Sequence, residues 1–391
     1  MPVAPDIWLA CHGPLECNSG QHVRSLAGAL ADRGFAVTVC VPERSPADAG
    51  LPGSIRLRSF ADALRVAVDA PPRILHIWTA RERMRIFHRD LSRRLETPVP
   101  HVIHLEDNES LLLTDQMRLT PDEFQDVRDG LRPLVVPNHL THPLHGRQLI
   151  ATAAGVTALV EPLMRGLPTG LPTAVFHPGY DPIFAPARPE AAAVVRRRLR
   201  IPADTAIVTY TGNVHPSNVD EVRSLSIAVA LANRMGRPTT LVRTGSDHVP
   251  LTDLGADLLR QHTVELGTVP RGELPDLVHA ADILVQPGRV DEWNMLRFPS
   301  KLPDYLVSGR PLMLPRVNLG MELDHGRNAI VLPEATAERI AVALVEWLPQ
   351  RDTLAAIGTA GAEFARRSLT WSAAADVVEG LYRRILPPVS G

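Results

Sequence analysis

The chain holds forty-one basic residues, and all but one are arginine. The exception, Lys301, stands in Arg297-Phe298-Pro299-Ser300-Lys301-Leu302-Pro303-Asp304-Tyr305. Arginine is a planar fork and lysine a compact charge on a flexible stem, so the two are not interchangeable against a phosphate. Proline and serine precede a short predicted helix here, and Gly309 ends it. Ser300, Lys301 and the amides toward Leu302 are therefore candidates to meet an anion. A second candidate is His104-Leu105-Glu106-Asp107-Asn108-Glu109, three carboxylates behind a predicted strand, where Glu106 or Asp107 can orient a hydroxyl. The competing reading is a strand end capped by an acidic loop. Glycine turns at Asn18-Ser19-Gly20, Gly212-Asn213, Gly245-Ser246 and Gly288 add further places for a ligand. None of them is GxGxxG or GxxxxGK[ST], so neither a dinucleotide fingerprint nor a P-loop is present.

Two tempting metal constellations are weaker. His139, His142 and His145 are evenly spaced, but Pro143 breaks the helical path they would need to converge. Cys11-His12 beside Cys17 reads as strand-end residues with the cysteines as small apolar fillers.

Such residues need elements to hold them. Short β-rich runs alternate with segments of helical period, which predicts an α/β chain with parallel sheets. In the first half, strands are predicted at Ile7–Ala10, Ala36–Val41, Ile74–Trp78, Val102–Leu105, Thr157–Val160 and Ala174–Phe176. A helix with Val23, Leu26, Ala27 and Leu30 on one face joins the first two in a right-handed crossover. The stretch from Pro178 to Pro189 is proline-dense and reads as a linker. Beyond it the pattern restarts with a strand at Ile207–Tyr210 and a helix over Val219–Arg234. Strands follow at Thr240–Val242, Val264–Leu266, Ile283–Gln286, Leu312–Leu314 and Ile330–Leu332, and helices near Leu354–Arg367 and Ser372–Ile385 close the chain. The reading is two Rossmann-like halves facing each other. In open parallel sheets, ligands gather beyond the carboxyl ends of the strands, where the glycine turns fall.

At 391 residues the chain has room for two or three domains. A formal charge of −2 supplies no field for a duplex nucleic acid. Three cysteines, an odd count, give no disulfide framework and point to a reducing cytoplasm. The Met1–Asp6 start lacks a secretory pattern, and no apolar run reaches the ~20 residues of a membrane span. The basic run Arg81–Arg94, with Met84, Phe87, Leu91 and Leu95 along one side, reads as a solvated helix; weak peripheral contact with the inner membrane face, or a grip on a phosphorylated acceptor, is the alternative.

The Lys301 segment resembles the S/T-K-L-x-E-Y-x-x-x-G-x-P block of retaining glycosyltransferases of family 4, which have the GT-B fold. Six other stretches stand in the family's order. Ser19-Gly20 with LAGALADRGFAVTV is similar to its first glycine loop and helix, and HVIHLEDNE to the strand whose histidine faces the donor sugar. HPGYDPIFAP resembles the linker, TGNVHPSNVD the opening of the nucleotide domain in the P-N variant, and GTVPRGELPDLVHAADILVQP the stretch after it. SLTWSAAADVVEGLYRRIL resembles the closing helix.

This resemblance implies an acceptor-binding domain over 1–180, a nucleotide-sugar domain over 181–370, and a closing helix within 371–391 that returns to the first domain. It implies retaining transfer from a UDP- or GDP-sugar to a hydroxyl acceptor, which is a small molecule, a lipid-linked sugar or a glycan. No metal or other cofactor is expected, since no DxD stands where a metal would bind. Carried over by position, His104, Lys301 and Asp304 are the catalytic set, with Asp304 on the ribose. Ser19, Gly20, Glu106, Asp107, Asn213, His215, Arg243, Ser300 and Leu302 bind substrate. The first glutamate of the family's E-x7-E pair falls on Leu296, a role Glu292 can take over. Asn213 and Asn218 or Val219 replace the usual phosphate-binding arginine and lysine, leaving Arg243, Arg289 or Arg297 to compensate. An epimerase of the same fold and a non-catalytic nucleotide-sugar-binding partner protein are the alternatives.

Overall fold

The computed structural model describes residues 6–45, 51–251 and 260–386; Met1–Pro5, on which most of the reading of the start rests, lies outside them. The chain divides into two compact α/β units. The first comprises Met1–Gly179, Leu296–Phe298 and Trp371–Gly391, the second Tyr180–Met295 and Pro299–Thr370.

The first unit contains strands β1 (Asp6–Cys11), β2 (Ala36–Val41), β3 (Ile55–Ser59), β4 (Ile74–Trp78), β5 (His101–Leu105), β6 (Gly155–Ala158) and β7 (Thr173–Val175). They form one parallel sheet in the order β3-β2-β1-β4-β5-β6-β7. β1, DIWLAC, is buried from Ile7 to Cys11, as a central parallel strand covered on both faces must be. Its helices are α1 (Asn18–Ala31), α2 (Phe60–Val66), α3 (Glu82–Ser92), α4 (Glu109–Met117), α5 (Pro121–Arg128) and α6 (Pro143–Ala151). α1 buries Val23, Leu26, Ala27 and Leu30 along one stripe. The Cys17 side chain caps its start by accepting the Gly20 N–H at 3.3 Å.

The second unit opens with α7 (Ala191–Leu199) and continues through β8 (Ala206–Thr211), α8 (Val219–Arg234), β9 (Thr239–Thr244), β10 (Thr263–Glu265), α9 (Leu274–His279) and β11 (Ile283–Val285). Then come α10 (Glu292–Met295), α11 (Leu302–Val307), β12 (Leu312–Pro315), α12 (Leu319–Glu322), β13 (Ile330–Leu332), α13 (Ala337–Trp347) and α14 (Arg351–Ser368). Its strands are parallel in the order β10-β9-β8-β11-β12-β13. α8 and α13 cover one face, where Val222, Leu225 and Val229 share a core with Ile340 and Leu344.

The last helix, α15 (Trp371–Ile385), belongs to the first unit. The Arg33 guanidinium donates to the Ser372 carbonyl at 2.6 Å and to Asp376 at 2.7 Å, and Arg384 donates to the Thr173 carbonyl. Gly155 leaves room for it: a Cβ there would stand 2.7 Å from Ile385 Cδ1.

The membrane reading of Arg81–Arg94 is corrected. Met84, Phe87 and Leu91 are buried in the first unit's own core, and Leu95 packs against it, so the run offers a bilayer no apolar face. No helix among the described residues is long and apolar enough to cross a membrane.

Candidate active site

In each unit the strand order reverses once, between β1 and β4 in the first and between β8 and β11 in the second. Such switch points open a crevice at the carboxyl ends of the strands. Most of the sequence-predicted site residues cluster at these two places.

In the first unit, Glu106 follows β5 and is buried. Its Oε1 accepts from His22 Nδ1 and Trp78 Nε1, each at 2.8 Å, while Ser19 Oγ donates to its Oε2. Burial works against the charge, but the hydrogen bond from His22 and the donors beside it hold this carboxyl well below the usual range. With its oxygens so occupied, Glu106 is an anchor for the crevice, which corrects its expected part in orienting an acceptor. Ser19 is also buried, with His12 Nε2 3.1 Å from its Oγ. His12 is pushed down to about 4 by burial and by Arg81, so its ring is neutral. Arg81 in turn pairs with Glu109 at 2.8 Å, and Thr141 donates to the same carboxylate. Gly20 serves packing: a Cβ would stand 2.3 Å from the Pro14 carbonyl oxygen.

Asp107 differs from its neighbours. No side chain among the described residues donates to its carboxyl, and burial with the charges of Glu106 and Glu109 raises it to about 7 despite Arg81 and Arg297. It is the carboxyl of this loop left to meet a hydroxyl.

His104 is buried, pushed down to about 3 by burial, and stacked on Phe176 with ring centroids 5.0 Å apart. Nδ1 is paired with Thr157 Oγ1 at 2.8 Å, and Nε2 is buried without a partner. The chain of hydrogen bonds continues from Thr157 Oγ1 to His76 Nε2 at 2.9 Å and from His76 Nδ1 to the Tyr382 hydroxyl on α15 at 2.7 Å. Thr79, at the β4 end, holds φ at 66°, costly for a β-branched residue, with its buried hydroxyl unpaired.

In the second unit, Lys301 lies just before α11 with its Nζ 3.5 Å from the centroid of the Tyr210 ring. A Cβ on Gly212 would come within 3.0 Å of that Nζ. Gly245 meets Gly212 backbone to backbone: a Cβ there would stand 2.3 Å from the Gly212 carbonyl oxygen, at a φ of 118°. The exposed Asn213 ties these turns together, accepting the Ser246 N–H at 2.9 Å on its side chain and Asn218 Nδ2 at 3.0 Å on its carbonyl. The half-buried His215 donates its backbone N–H to Asn218 Oδ1. Tyr305 pins α11 to the end of β8 by accepting the Thr211 N–H at 2.6 Å.

Several expectations change here. Arg243 is buried between Glu265 and Asp247, with Nε–O and Nη2–O contacts of 2.9 and 2.8 Å, so its charge is spent on carboxylates rather than offered to a phosphate. The Leu302 N–H donates to the Pro299 carbonyl and is not available to an anion, and α11 is only six residues long. Ser300 is half-buried beside Lys301. Asp304 turns one oxygen to the linker, accepting the Asp181 N–H at 2.7 Å, and burial raises its carboxyl to about 7. Asp181 is itself paired with Arg271.

Sequence reasoning missed His22 and Trp78, the two nitrogen donors to Glu106. A signal existed for His22, one turn after Ser19 on the α1 stripe; none marked Trp78. Tyr210, whose ring lies under the Lys301 ammonium, and Tyr305, which holds the end of β8, were equally silent.

Residues 205–350, which include Gly212, Gly245, Lys301 and Asp304, match the family described as glycosyl transferases group 1. Over 227 residues the chain is 29% identical to the D-inositol 3-phosphate glycosyltransferase of Thermobispora bispora, covering 55% of this chain and 51% of that one. It thus spans about half the length of the curated relatives it matches. Among solved structures, Anabaena Alr3699/HepE in complex with UDP and glucose superposes with a TM-score of 0.69 at 15% identity, covering 97% of this chain and 99% of that one. The sucrose-phosphate synthase of Thermosynechococcus elongatus gives 0.68 at 15% identity, with the same coverage. Residues 205–350 thus carry a group 1 glycosyltransferase domain, and the chain has the GT-B fold of these structures.

Proposed function

We propose that the protein transfers a sugar, with retention of configuration, from a UDP- or GDP-sugar to a hydroxyl acceptor. The observation that carries this reading is the Lys301 ammonium, lodged beside Gly212 and over Tyr210 at the carboxyl end of the second unit's sheet. In the proposed step the bond between the sugar's anomeric carbon and the diphosphate oxygen breaks, and the acceptor oxygen forms the new bond on the same face. The acceptor's proton passes to the departing phosphate oxygen. Lys301 supplies fixed positive charge where negative charge develops, which is the kind of preorganised stabilisation that lowers a barrier most. Asp304 keeps one oxygen for the ribose, and no metal enters the scheme. The neutral His104 has its orphaned Nε2 for a sugar hydroxyl, and Asp107 has a carboxyl poised between its two protonation states for the acceptor. The first unit supplies acceptor-side groups and the second holds the nucleotide.

The relatives are named for D-inositol 3-phosphate, and a neighbour was solved with UDP and glucose. A UDP-sugar and a phosphorylated polyol therefore head the substrates to try, ahead of lipid-linked and glycan acceptors. The test is turnover of UDP- and GDP-sugars with and without acceptors, reading the anomeric configuration of the product. Transfer with retention supports the reading; an altered nucleotide sugar in the absence of acceptor identifies an epimerase. Leu296 at the first-glutamate position and the occupied Arg243 favour a second reading, a nucleotide-sugar-binding partner protein. Binding of UDP or GDP without turnover of any donor identifies it.

A further inference from the structure

At the opposite end of the second unit's sheet, where β8, β9, β11 and β12 begin, Arg196, Arg237, Asp282, Arg310 and Arg351 line a hollow of about 380 Å³ together with Asp204. The four guanidiniums are not equivalent. Arg196 is spoken for: it donates to the Pro202 and Thr205 carbonyls and to Asp282, whose Oδ2 also accepts the Ile207 N–H. Arg237, Arg310 and Arg351 have no ion-pair partner among the described residues, and the Nε of Arg237 is buried without any acceptor. Other arginines of the unit, Arg188, Arg198, Arg243 and Arg271 among them, are ion-paired. Three like charges drawn toward one hollow repel each other, a cost that a bound anion would remove.

Two further features give the anion a shape. α14 starts at Arg351 on the rim of the hollow, and its N-cap residue Gln350 makes no side-chain capping bond, so the positive end of an 18-residue helix adds to the same field. Guanidinium forks match phosphate oxygens in pairs. Asp204 is exposed on the same wall and would repel a second anionic group while accepting from hydroxyls.

We propose that this hollow is a second ligand site, separate from the Lys301 end, that takes the phosphate group of a small phosphorylated polyol. Its field is strongest where Arg237, Arg310 and the start of α14 converge, and the hydroxyls of the ligand face Asp204.

Calorimetric titration of the full chain with glucose 6-phosphate, inorganic phosphate and glucose tests this, run on the wild type and on Lys301→Ala. Both proteins should bind the two phosphate-bearing probes at millimolar concentration or below, with glucose silent. The pair Arg237→Gln and Arg310→Gln should weaken that binding by about tenfold or more while UDP affinity stays as in the wild type. Arg351→Gln, at an exposed helix start, should weaken it in the same direction and serves if the half-buried pair fails to fold. No binding of either phosphate probe to the wild type, its loss in Lys301→Ala, or its survival undiminished in the arginine variants would each overturn the proposal.

Discussion

The Lys301 ammonium stands 3.5 Å from the centroid of the Tyr210 ring, and Gly212 has no side chain to separate it from the turn after β8. An aromatic face steadies a cation without neutralising it, unlike a carboxylate. Arg243, by contrast, lies between Glu265 and Asp247 and has little charge left to give.

Asp304 makes stability depend on pH in an unusual direction. Its folded pKa is raised to about 7, so the folded protein holds this proton more tightly than the unfolded chain, whose value is near 3.8. Its contribution to stability is therefore full below that lower value and is lost as pH climbs toward 7. Asp304→Asn keeps the acceptor for the Asp181 N–H and removes the buried charge. The variant should melt higher than the wild type at about pH 8, by on the order of 2 kcal/mol, and match it at about pH 4, read by thermal unfolding at both. Donor affinity should fall at the same time.

Glu106 behaves in the opposite way. Its folded pKa lies below the ordinary carboxylate value, so the stability it contributes is present above about pH 4.5 and drains away as pH falls further. Glu106→Gln turns an amide donor toward His22, Trp78 or Ser19 and should cost about 3 kcal/mol near neutrality. Urea titrations from neutral to acidic pH should show the gap to wild type closing as the solution is acidified.

The architecture was largely legible in the sequence. The predicted strand Ala36–Val41, the strand Ile74–Trp78 and the helix Val219–Arg234 coincide with β2, β4 and α8 to the residue. All three are largely buried elements, two with a mostly apolar run and one with a clear helical stripe. β3, Ile55-Arg56-Leu57-Arg58-Ser59, was missed because an edge strand alternates apolar and charged residues and so leaves no continuous run. The predicted strand Thr157–Val160 ran past the end of β6, Gly155–Ala158, because Leu159 and Val160 are buried after the ladder stops. The candidate site was legible as segments and not as pairings. Ser19 and Glu106 were both singled out, but nothing in their spacing tells that one donates to the other. Arg243 was singled out for its charge, and only Glu265 on β10 and Asp247 in the turn after β9 show that charge to be consumed.

Gly245 is held to glycine by both conformation and space. At a φ of 118°, with the Gly212 carbonyl oxygen 2.3 Å from where a Cβ would sit, Gly245→Ala must push two turns apart. The expected loss is about 2–4 kcal/mol by denaturant unfolding, and it should come with weakened UDP binding because the Gly212 turn carries the wall beside Lys301.

Tyr382 ties α15 to the interior of the first unit through His76. Tyr382→Phe leaves that imidazole nitrogen buried without a partner and should cost about 1–3 kcal/mol. The loss should also loosen His104, two hydrogen bonds along the same chain. The amide at Thr157 is expected to exchange faster with solvent hydrogen in the variant, while amides of the second unit are unchanged.

The most direct measurement is donor turnover by Lys301→Ala, with folding checked by its melting temperature. The ammonium should be worth a factor of ~10²–10³ in turnover while the melting temperature stays close to that of the wild type. A variant that folds normally and turns over donor at the wild-type rate would contradict the assignment of Lys301 to the departing diphosphate.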